Sequence, residues 1–93
     1  MELRWTPSAI SDLDEARAYI SGENVLAADA VAQRVVEAVE VLLVHPNLGR
    51  PGRVRATREL VVSGTPLIIV YRVRLDEIHV LRVLHHARRW PPG

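Results

Sequence analysis

The sequence predicts an α+β protein with an N-terminal strand, an α-helical hairpin and then a three-stranded antiparallel meander. Apolar residues recur at spacings of three and four in the first half and at every second position in the last third. Only short turns, at residues 63–65 and 75–76, separate the alternating stretches, which is typical of antiparallel hairpins. With 93 residues the chain is long enough for one core and too short for two. We therefore expect a single domain spanning residues 1–93.

The first helix is predicted from its start signal. Leu3 and Trp5 alternate with polar residues in a short opening strand, which Thr6 and Pro7 end. Because proline is favoured at the first helical position and threonine before it as a cap, a helix begins here and runs to about residue 22. The acidic residues in its first turns are expected to complement the helix dipole, and they are Asp12, Asp14 and Glu15.

A second helix is predicted over residues 25–44, paired with the first as a hairpin. Its apolar stripe consists of Val31, Val35, Val39, Leu42 and Leu43. His45 and Pro46 end it, and a Gly/Pro/Arg loop follows over residues 47–57, which is long for so small a domain. The strands of the meander then cover residues 58–62, 66–74 and 77–85.

Both faces of this sheet are predicted to be apolar. In the last strand, simple alternation places Arg82 and Leu84 on the face that carries Ile78 and Val80. The helices can cover only one face, so the other would expose more apolar surface than a free monomer should. We therefore expect a partner protein, or a second copy of the chain, on that face. Arg82 interrupts it and should pair with a carboxylate, supplied either by the chain itself or, as we favour, by the partner.

Charge is divided unevenly along the chain. All twelve basic residues are arginines, and nine of them lie from Arg50 onward, whereas eight of the eleven carboxylates precede position 41. The net charge is only +1, so the molecule as a whole has no field that would by itself indicate nucleic-acid binding. The basic half is the one expected to meet an anionic surface.

Composition also limits the chemistry. There is no cysteine, which excludes disulfides and thiolate catalysis, and four scattered histidines do not form a metal site. We expect neither a metal nor another cofactor. No apolar run approaches the ~20 residues that span a bilayer, and the N-terminus lacks the apolar stretch of a signal peptide. The protein is therefore expected to be cytoplasmic, without membrane contact.

Four segments, in their order along the chain, resemble the RelE/ParE superfamily of toxins from bacterial type II toxin–antitoxin modules. They are "PSAISDLDEARAYI" after the opening strand, "HPNLGRPG" at the end of the second helix, the hairpin "ELVVSGTPLIIVYRV" and the closing "IHVLRVLHHARRWP". The resemblance implies the α+β fold predicted above and a toxin held in a hetero-oligomer by a cognate antitoxin. It also implies a module of the plasmid-stabilization type, in which operator DNA is contacted only through the antitoxin.

Members of the superfamily have one of two kinds of toxic activity. RelE-like members cut messenger RNA on the ribosome, using basic side chains on the middle strands to stabilise the scissile phosphate. With Tyr71 aligned on the family's tyrosine, those positions are Glu59, Val61 and Ile68. A carboxylate and two aliphatic groups cannot neutralise a phosphate. ParE-like members instead poison DNA gyrase by stabilising its cleavage complex, and "RVLHHARRWP" resembles their ending, although Trp90 replaces the usual acidic residue.

The resemblance therefore favours a ParE-like gyrase inhibitor that is not an enzyme. A RelE-like endoribonuclease and a non-toxic protein-binding relative remain the alternatives. For a gyrase inhibitor no catalytic residue is expected. A ribonuclease would use Arg88, His85 and His86.

Two groups of residues are expected to bind other molecules. The antitoxin-binding residues are Arg82, Arg88, Arg89, Trp90 and Tyr71. The target-binding residues are Arg50, Arg53, Arg55, Arg58, Arg89 and Trp90. Simpler interpretations stay open for several of them. The histidine pair could form hydrogen bonds at a strand end, the arginine loop could be a solvated surface, Tyr71 could be a core residue, and Trp90 could pack over the sheet.

Overall fold

The computed structural model describes residues 1–22, 24–86 and 90–91. Within these residues, two helices lie against a five-stranded sheet. The helices are α1 (Pro7–Ser21) and α2 (Val25–Val44). The strands are β1 (Glu2–Trp5), β2 (Arg50–Pro51), β3 (Arg58–Val61), β4 (Leu67–Arg74) and β5 (Glu77–His85). The predicted α+β class and order of elements are confirmed, and none of the described helices is long and apolar enough to cross a membrane.

The strands follow the order β1-β5-β4-β3-β2 across the sheet. The predicted meander is present, because β3 pairs antiparallel with β4 and β4 with β5. The opening strand pairs in parallel with β5, which places the N-terminal strand beside the last one. The short strand β2 was not predicted: two residues of the long loop pair with Arg58 and Glu59 at the edge of the sheet.

Side-chain caps begin both helices. The Thr6 hydroxyl accepts a hydrogen bond from the Ala9 N–H at 3.0 Å, and Pro7 follows it at the first helical position. The Asn24 amide oxygen accepts from the Ala27 N–H at 3.0 Å. Caps of this kind each stabilise a helix by about 1 kcal/mol. The predicted start of α1 is therefore confirmed together with its physical cause.

The core lies between the helices and one face of the sheet. The predicted stripe of α2 faces this core, with Val35, Val39 and Leu42 buried. The sheet contributes Leu67, Ile69, Tyr71, Ile78, Val80 and Val83. The centre of the buried face of α1 is formed by Ala9 and Asp12. The first turn of α1 contains no acidic residue, so the predicted complement to the helix dipole is absent there.

A β-bulge in β5 changes which side chains share a face. The register is interrupted between the pairs Val70–Arg82 and Tyr71–Val80, so β5 contains one residue more than β4 at this point. An extra residue reverses the alternation beyond it. Arg82 and Leu84 consequently lie on the face away from the helices. The prediction that placed them on the face of Val80 was wrong for this reason.

The centre of the sheet face away from the helices is buried, although Val61, opposite Ile68 in β3, is 59% exposed. Ile68, Val70 and Leu84 are only 6%, 0% and 2% exposed. Two side chains from outside the sheet, Arg53 and Trp90, lie against residues of this face. The expectation of an exposed apolar sheet face covered by a partner or a second copy was therefore wrong. The exposed large apolar residues instead include Tyr19, Leu26, Val41, Val44, Leu48 and Val61, on the helices and near the β3 edge.

Candidate functional site

The loop between α2 and β3, which carries the predicted target-binding arginines, is folded around one hydroxyl group. The hydroxyl of Tyr71 donates to the Pro46 carbonyl and accepts from the Gly49 N–H, both at 2.8 Å. Arg58 Nη1 donates to the Gly49 carbonyl at 2.7 Å. Glycine is required at position 49 because a Cβ there would lie 2.7 Å from the Tyr71 ring. The "HPNLGRPG" segment and this tyrosine therefore form one structural unit.

Tyr71 has no exposed surface. Burial raises the pKa of its hydroxyl, although the hydrogen bond from Gly49 and the charge of Arg58 act in the opposite direction. The position supports the interpretation of Tyr71 as a core residue. Because a side chain without exposed surface cannot contact a partner, we remove Tyr71 from the residues expected to bind the antitoxin.

A single buried carboxylate holds two of the loop arginines. The Glu59 side chain is 1% exposed, and it accepts hydrogen bonds from the Arg53 backbone N–H at 2.9 Å and from Arg53 Nη2 at 3.0 Å. Arg50 Nη2 lies 3.6 Å from the same carboxylate. Burial alone would raise the pKa of Glu59, but the hydrogen bonds from Arg53 and the charges of Arg53 and Arg50 outweigh it and lower this pKa. The carboxylate is therefore ionised at neutral pH.

The other two loop arginines have no carboxylate partner among the described residues. Arg58 donates to the carbonyls of Gly49 and Asn47, which are neutral acceptors. Arg55 is exposed, and no hydrogen bond or ion pair joins it to any residue in the described part of the chain. The structure thus brings two of the four predicted loop arginines, Arg50 and Arg53, together on Glu59, whereas Arg58 is held separately at Gly49.

Arg82 is anchored within the chain. Asp12 of α1 accepts from Arg82 Nε at 2.6 Å, from Arg82 Nη2 at 2.8 Å and from the Val83 N–H at 3.0 Å. The pair is largely buried, with side chains 6% and 21% exposed, and the hydrogen bonds from Arg82 to Asp12 raise the pKa of Arg82. The carboxylate partner of Arg82 is therefore an internal residue, not an antitoxin residue as we had favoured. Any further contact of Arg82 with an antitoxin stays a prediction.

Trp90 packs against this pair. Its ring centroid lies 5.5 Å from the Arg82 guanidinium carbon, which is within the range of a cation–π contact. Its Nε1 is buried and has no hydrogen-bond acceptor in the described part of the structure. The interpretation of Trp90 as packing on the sheet is supported. The predictions for Arg88 and Arg89 lie outside the described residues.

The histidine pair lies at the exposed end of β5. The rings of His85 and His86 are stacked, with centroids 4.7 Å apart and an angle of 23° between their planes. The His86 backbone N–H donates to the Pro66 carbonyl at 2.8 Å, and its Nδ1 lies 3.2 Å from the same oxygen. This residue thus joins the end of β5 to the start of β4. Within the described residues no group of three or more potential metal ligands is present.

The sheet positions at which RelE-like ribonucleases carry basic residues offer no positive charge. Glu59 is buried and ion-paired, and Ile68 is buried. Val61 is 59% exposed but carries no charge. None of these side chains is suited to neutralise a phosphate.

Sequence reasoning missed the role of Asp12. A usable signal was present, because Asp12 precedes Ala16 by four residues and Ile20 by eight, and such spacing places all three on one face of a helix. A carboxylate on the buried face of a helix requires a partner, and an arginine on a strand is the natural one. The identity of that arginine could not be read from spacing.

Apolar grooves border the helices. A groove of about 410 Å³ lies between α1 and the ends of β4 and β5, and its lining includes Ala16, Tyr19, Ile20, Leu67, Val83 and Asp12. A second groove, of about 270 Å³, lies between α2 and β3, and its lining includes Ala38, Val41, Leu48, Leu60 and Val61. These grooves offer the apolar surface that the sheet face does not.

Known proteins are similar to this one over most of its length. The sequence model of the ParE toxin of type II toxin–antitoxin systems, parDE, matches residues 3–90. The protein Y4kP of Sinorhizobium fredii is 44% identical over 89 residues, covering 96% of this chain and 92% of the relative. Toxin RelE2 of Caulobacter vibrioides is 38% identical over 84 residues, covering 90% and 93%.

Solved structures agree with the sequence relatives. A chain of the chromosomal ParDE toxin–antitoxin system from P. aeruginosa has a TM-score of 0.81 and 32% identity, covering 91% of this chain and 95% of that one. A conserved Helicobacter pylori protein has a TM-score of 0.50 and 22% identity over 95% and 97%, which supports the fold alone. The predicted membership of the RelE/ParE superfamily is confirmed. The chain belongs to the ParE family of toxins from type II toxin–antitoxin systems.

Proposed function

We propose that this toxin inhibits DNA gyrase by stabilising its cleavage complex with DNA, and that a cognate antitoxin neutralises it. The observation that carries the choice of target is the state of Glu59. It occupies a position where RelE-like ribonucleases use a basic residue, yet it is buried, ionised and held by Arg53. A buried carboxylate that is already compensated by Arg53 and Arg50 cannot supply the positive charge that stabilises a scissile phosphate. An inhibitor that acts by binding fits this site better than an enzyme that cuts RNA.

The target-binding surface in this proposal combines two regions. One is the arginine loop, with Arg50, Arg53, Arg55 and Arg58. The other is the C-terminal segment, where Trp90 is seated on Arg82 and where Arg89 is expected to contribute. The proposal keeps the expectation of a cytoplasmic protein, since gyrase acts on DNA in the cytoplasm.

The proposal of an antitoxin partner rests on family membership and on the P. aeruginosa relative, whose structure is that of a ParDE toxin–antitoxin system. We propose that the antitoxin covers the groove along α1, because the groove is apolar and Asp12 in its lining is bonded to Arg82. Contacts with Arg82 and Trp90 would then be continuous with the groove, and Arg88 and Arg89 stay predicted antitoxin-binding residues. Operator DNA is expected to be contacted through the antitoxin alone.

The second candidate is a RelE-like ribonuclease. The relative named toxin RelE2 is compatible with it, and the stacked histidines at the end of β5 are the groups that would serve as acid and base. Induction of the toxin without its antitoxin distinguishes the gyrase inhibitor from the ribonuclease.

The test is induction of the chain without its antitoxin, with the DNA-damage response and protein synthesis followed in parallel. We expect an early DNA-damage response while translation continues, and accumulation of cleaved DNA when purified toxin is added to gyrase. Co-expression of the antitoxin encoded beside the toxin is the matched control and should abolish both effects. Immediate arrest of translation with cut messenger, and no effect on gyrase, would overturn the proposal in favour of the ribonuclease.

A further inference from the structure

The arginines of the described residues differ in their carboxylate partners, and Arg34, Arg72 and Arg74 have none there. Outside the loop, several are neutralised individually by a carboxylate at 2.6–2.9 Å, in the pairs Arg4–Glu77, Arg17–Asp29 and Arg82–Asp12. Residues 50–58, which we call the arginine loop, are different. They contain four arginines and no carboxylate, and the nearest acidic residue in sequence is Glu59.

Two charges of the arginine loop, those of Arg50 and Arg53, are held close together. The Nη2 atoms of Arg50 and Arg53 lie 3.6 and 3.0 Å from the same oxygen of Glu59. One carboxylate cancels only one of these two positive charges. Arg58 is fixed by neutral carbonyls, and Arg55 has no partner among the described residues. Four arginines and one glutamate leave a charge of +3, in a molecule whose net charge is +1.

A local excess of this size attracts a polyanion, and the composition of the arginine loop favours a nucleic-acid backbone over an acidic protein. Protein interfaces depend on buried aromatic and apolar anchors. The loop has no aromatic residue, and Val54 is its one large apolar side chain. Binding to a phosphate backbone, in contrast, depends on guanidinium groups and on the release of counterions. The loop also contains no helix that could enter a groove, so base sequence should not be read.

We propose that the arginine loop is a preformed, sequence-independent binding surface for the phosphate backbone of DNA, and that Glu59 positions Arg50 and Arg53 within it. The inference rests on the proposed function, in which DNA held by gyrase supplies the ligand. Glu59 acts through the arginines and does not itself contact the DNA.

The test measures binding of the full-length toxin to a labelled mixed-sequence duplex by fluorescence anisotropy, without gyrase, over a series of salt concentrations. With three to four phosphate contacts, the plot of log affinity against log salt should have a slope of about −3. Arg55→Ala should reduce the magnitude of that slope by about one. Arg17→Ala removes the same charge from the helix layer and should leave the slope unchanged. Equal slopes for these two variants would overturn the assignment of the surface.

The positioning role of Glu59 is tested separately, with the variant Glu59→Gln in the same DNA-binding assay. If Glu59 only cancelled charge, Glu59→Gln would strengthen DNA binding, because it removes a negative charge. If Glu59 positions the arginines, the variant should bind several-fold more weakly while its circular dichroism spectrum is unchanged. Tighter binding would overturn the positioning role.

Two further results distinguish DNA binding by the arginine loop from RNA binding and from gyrase inhibition. Single-stranded RNA that binds more tightly than the duplex would overturn the choice of DNA. The binding assay contains no gyrase. The toxin can therefore bind DNA in this assay without inhibiting gyrase, or inhibit gyrase without binding DNA by itself. The two failures are therefore distinguishable.

Discussion

The Tyr71 hydroxyl fixes the shape of a loop from a position inside the core. It accepts from the buried Gly49 N–H and donates to the partly buried Pro46 carbonyl, so one side-chain atom satisfies two backbone groups after the end of α2. Arg58 then binds the Gly49 carbonyl and is held in place by the same unit. The position of Arg58 therefore depends on a residue that has no exposed surface.

The first prediction concerns this hydroxyl. Tyr71→Phe keeps the ring but leaves the Gly49 N–H buried without an acceptor, so the free energy of unfolding should fall by about 1–3 kcal/mol. The measurement is urea denaturation at unchanged m-value. Tyr19→Phe is the matched control, because Tyr19 is 80% exposed, and it should change stability by less than about 0.5 kcal/mol. Equal denaturation midpoints for the two variants would contradict the role of the hydroxyl.

Glu59 makes stability depend on pH. Burial works against its ionisation, but Arg53 and Arg50 lower its pKa below the ordinary value of 4.5. A carboxylate with a lowered folded-state pKa stabilises the fold above its ordinary pKa, and the contribution is lost as the pH falls through the folded-state value. The second prediction follows: the loss of unfolding free energy caused by Glu59→Gln should be largest at neutral pH and shrink below about pH 4.5.

Denaturation of both proteins at a series of pH values measures this difference. Glu40→Gln makes the same chemical change at an exposed site on α2 and should change stability little. A difference between wild type and Glu59→Gln that stays constant from neutral to acidic pH would show that the ionised carboxylate is not what stabilises the loop.

At the scale of elements, α1 completes the edge of β5. The parallel partner β1 ends at Trp5, opposite Val80, so the rest of β5 has no strand on that side. Two side chains of the helix region take the place of a strand. The Thr6 hydroxyl donates to the Leu81 carbonyl at 2.8 Å, and Asp12 accepts from the Val83 N–H. The helix thereby satisfies polar groups that an open edge would leave unpaired.

The third prediction tests the ion pair at this junction. Removing one partner of a largely buried pair leaves the other charge uncompensated, so Asp12→Ala should cost about 3 kcal/mol of unfolding free energy. A double-mutant cycle with Arg82→Ala should give a coupling above about 1 kcal/mol. The cycle for the exposed pair Arg17–Asp29 is the control and should give about 0.5 kcal/mol. Similar coupling in both cycles would refute the special role of Asp12.

At the scale of the whole molecule, the two layers differ in charge. Eight of the eleven carboxylates precede position 41, whereas nine of the twelve arginines follow position 49. The layers also differ in the surface they offer, because apolar grooves border the helices and the arginine loop carries four arginines with one carboxylate between them. A partner with apolar anchors and a partner with phosphates would therefore meet different parts of the toxin.

The fourth prediction concerns toxicity. A binding surface spreads its energy over several residues, whereas an active site loses its function with one. Arg55→Ala and Trp90→Ala should each weaken toxicity by about tenfold, or ~1.4 kcal/mol of target binding. The double variant His85→Ala/His86→Ala should remain toxic. The measurement is the inducer concentration that halves the growth rate, at matched protein levels. Complete loss of toxicity in the histidine variant, with its fold intact, would indicate catalysis.

Part of the candidate site could be predicted from local sequence. The arginine loop was found because its charges are neighbours along the chain, and α2 was predicted over residues 25–44, as observed. Both predictions rest on residues that are close together in the sequence, and periodicity, capping and composition are patterns of such neighbouring residues. The burial of Tyr71 was weighed as one possibility, but its bond to Gly49, 22 residues away, had no local signal.

By itself the sequence determined the fold class, the two helices, the Thr6 cap of the first one and the three-stranded meander, because each depends on contacts between near neighbours in the chain. Only the tertiary structure decided the parallel pairing of β1 with β5, the bulge that turned Arg82 to the other face, and the partner of that arginine. Arg82 and Asp12 are 70 residues apart, and they meet because strand register and helix packing bring them together. No local pattern encodes a register shift of one residue, yet that shift determines which face of the sheet every later side chain occupies.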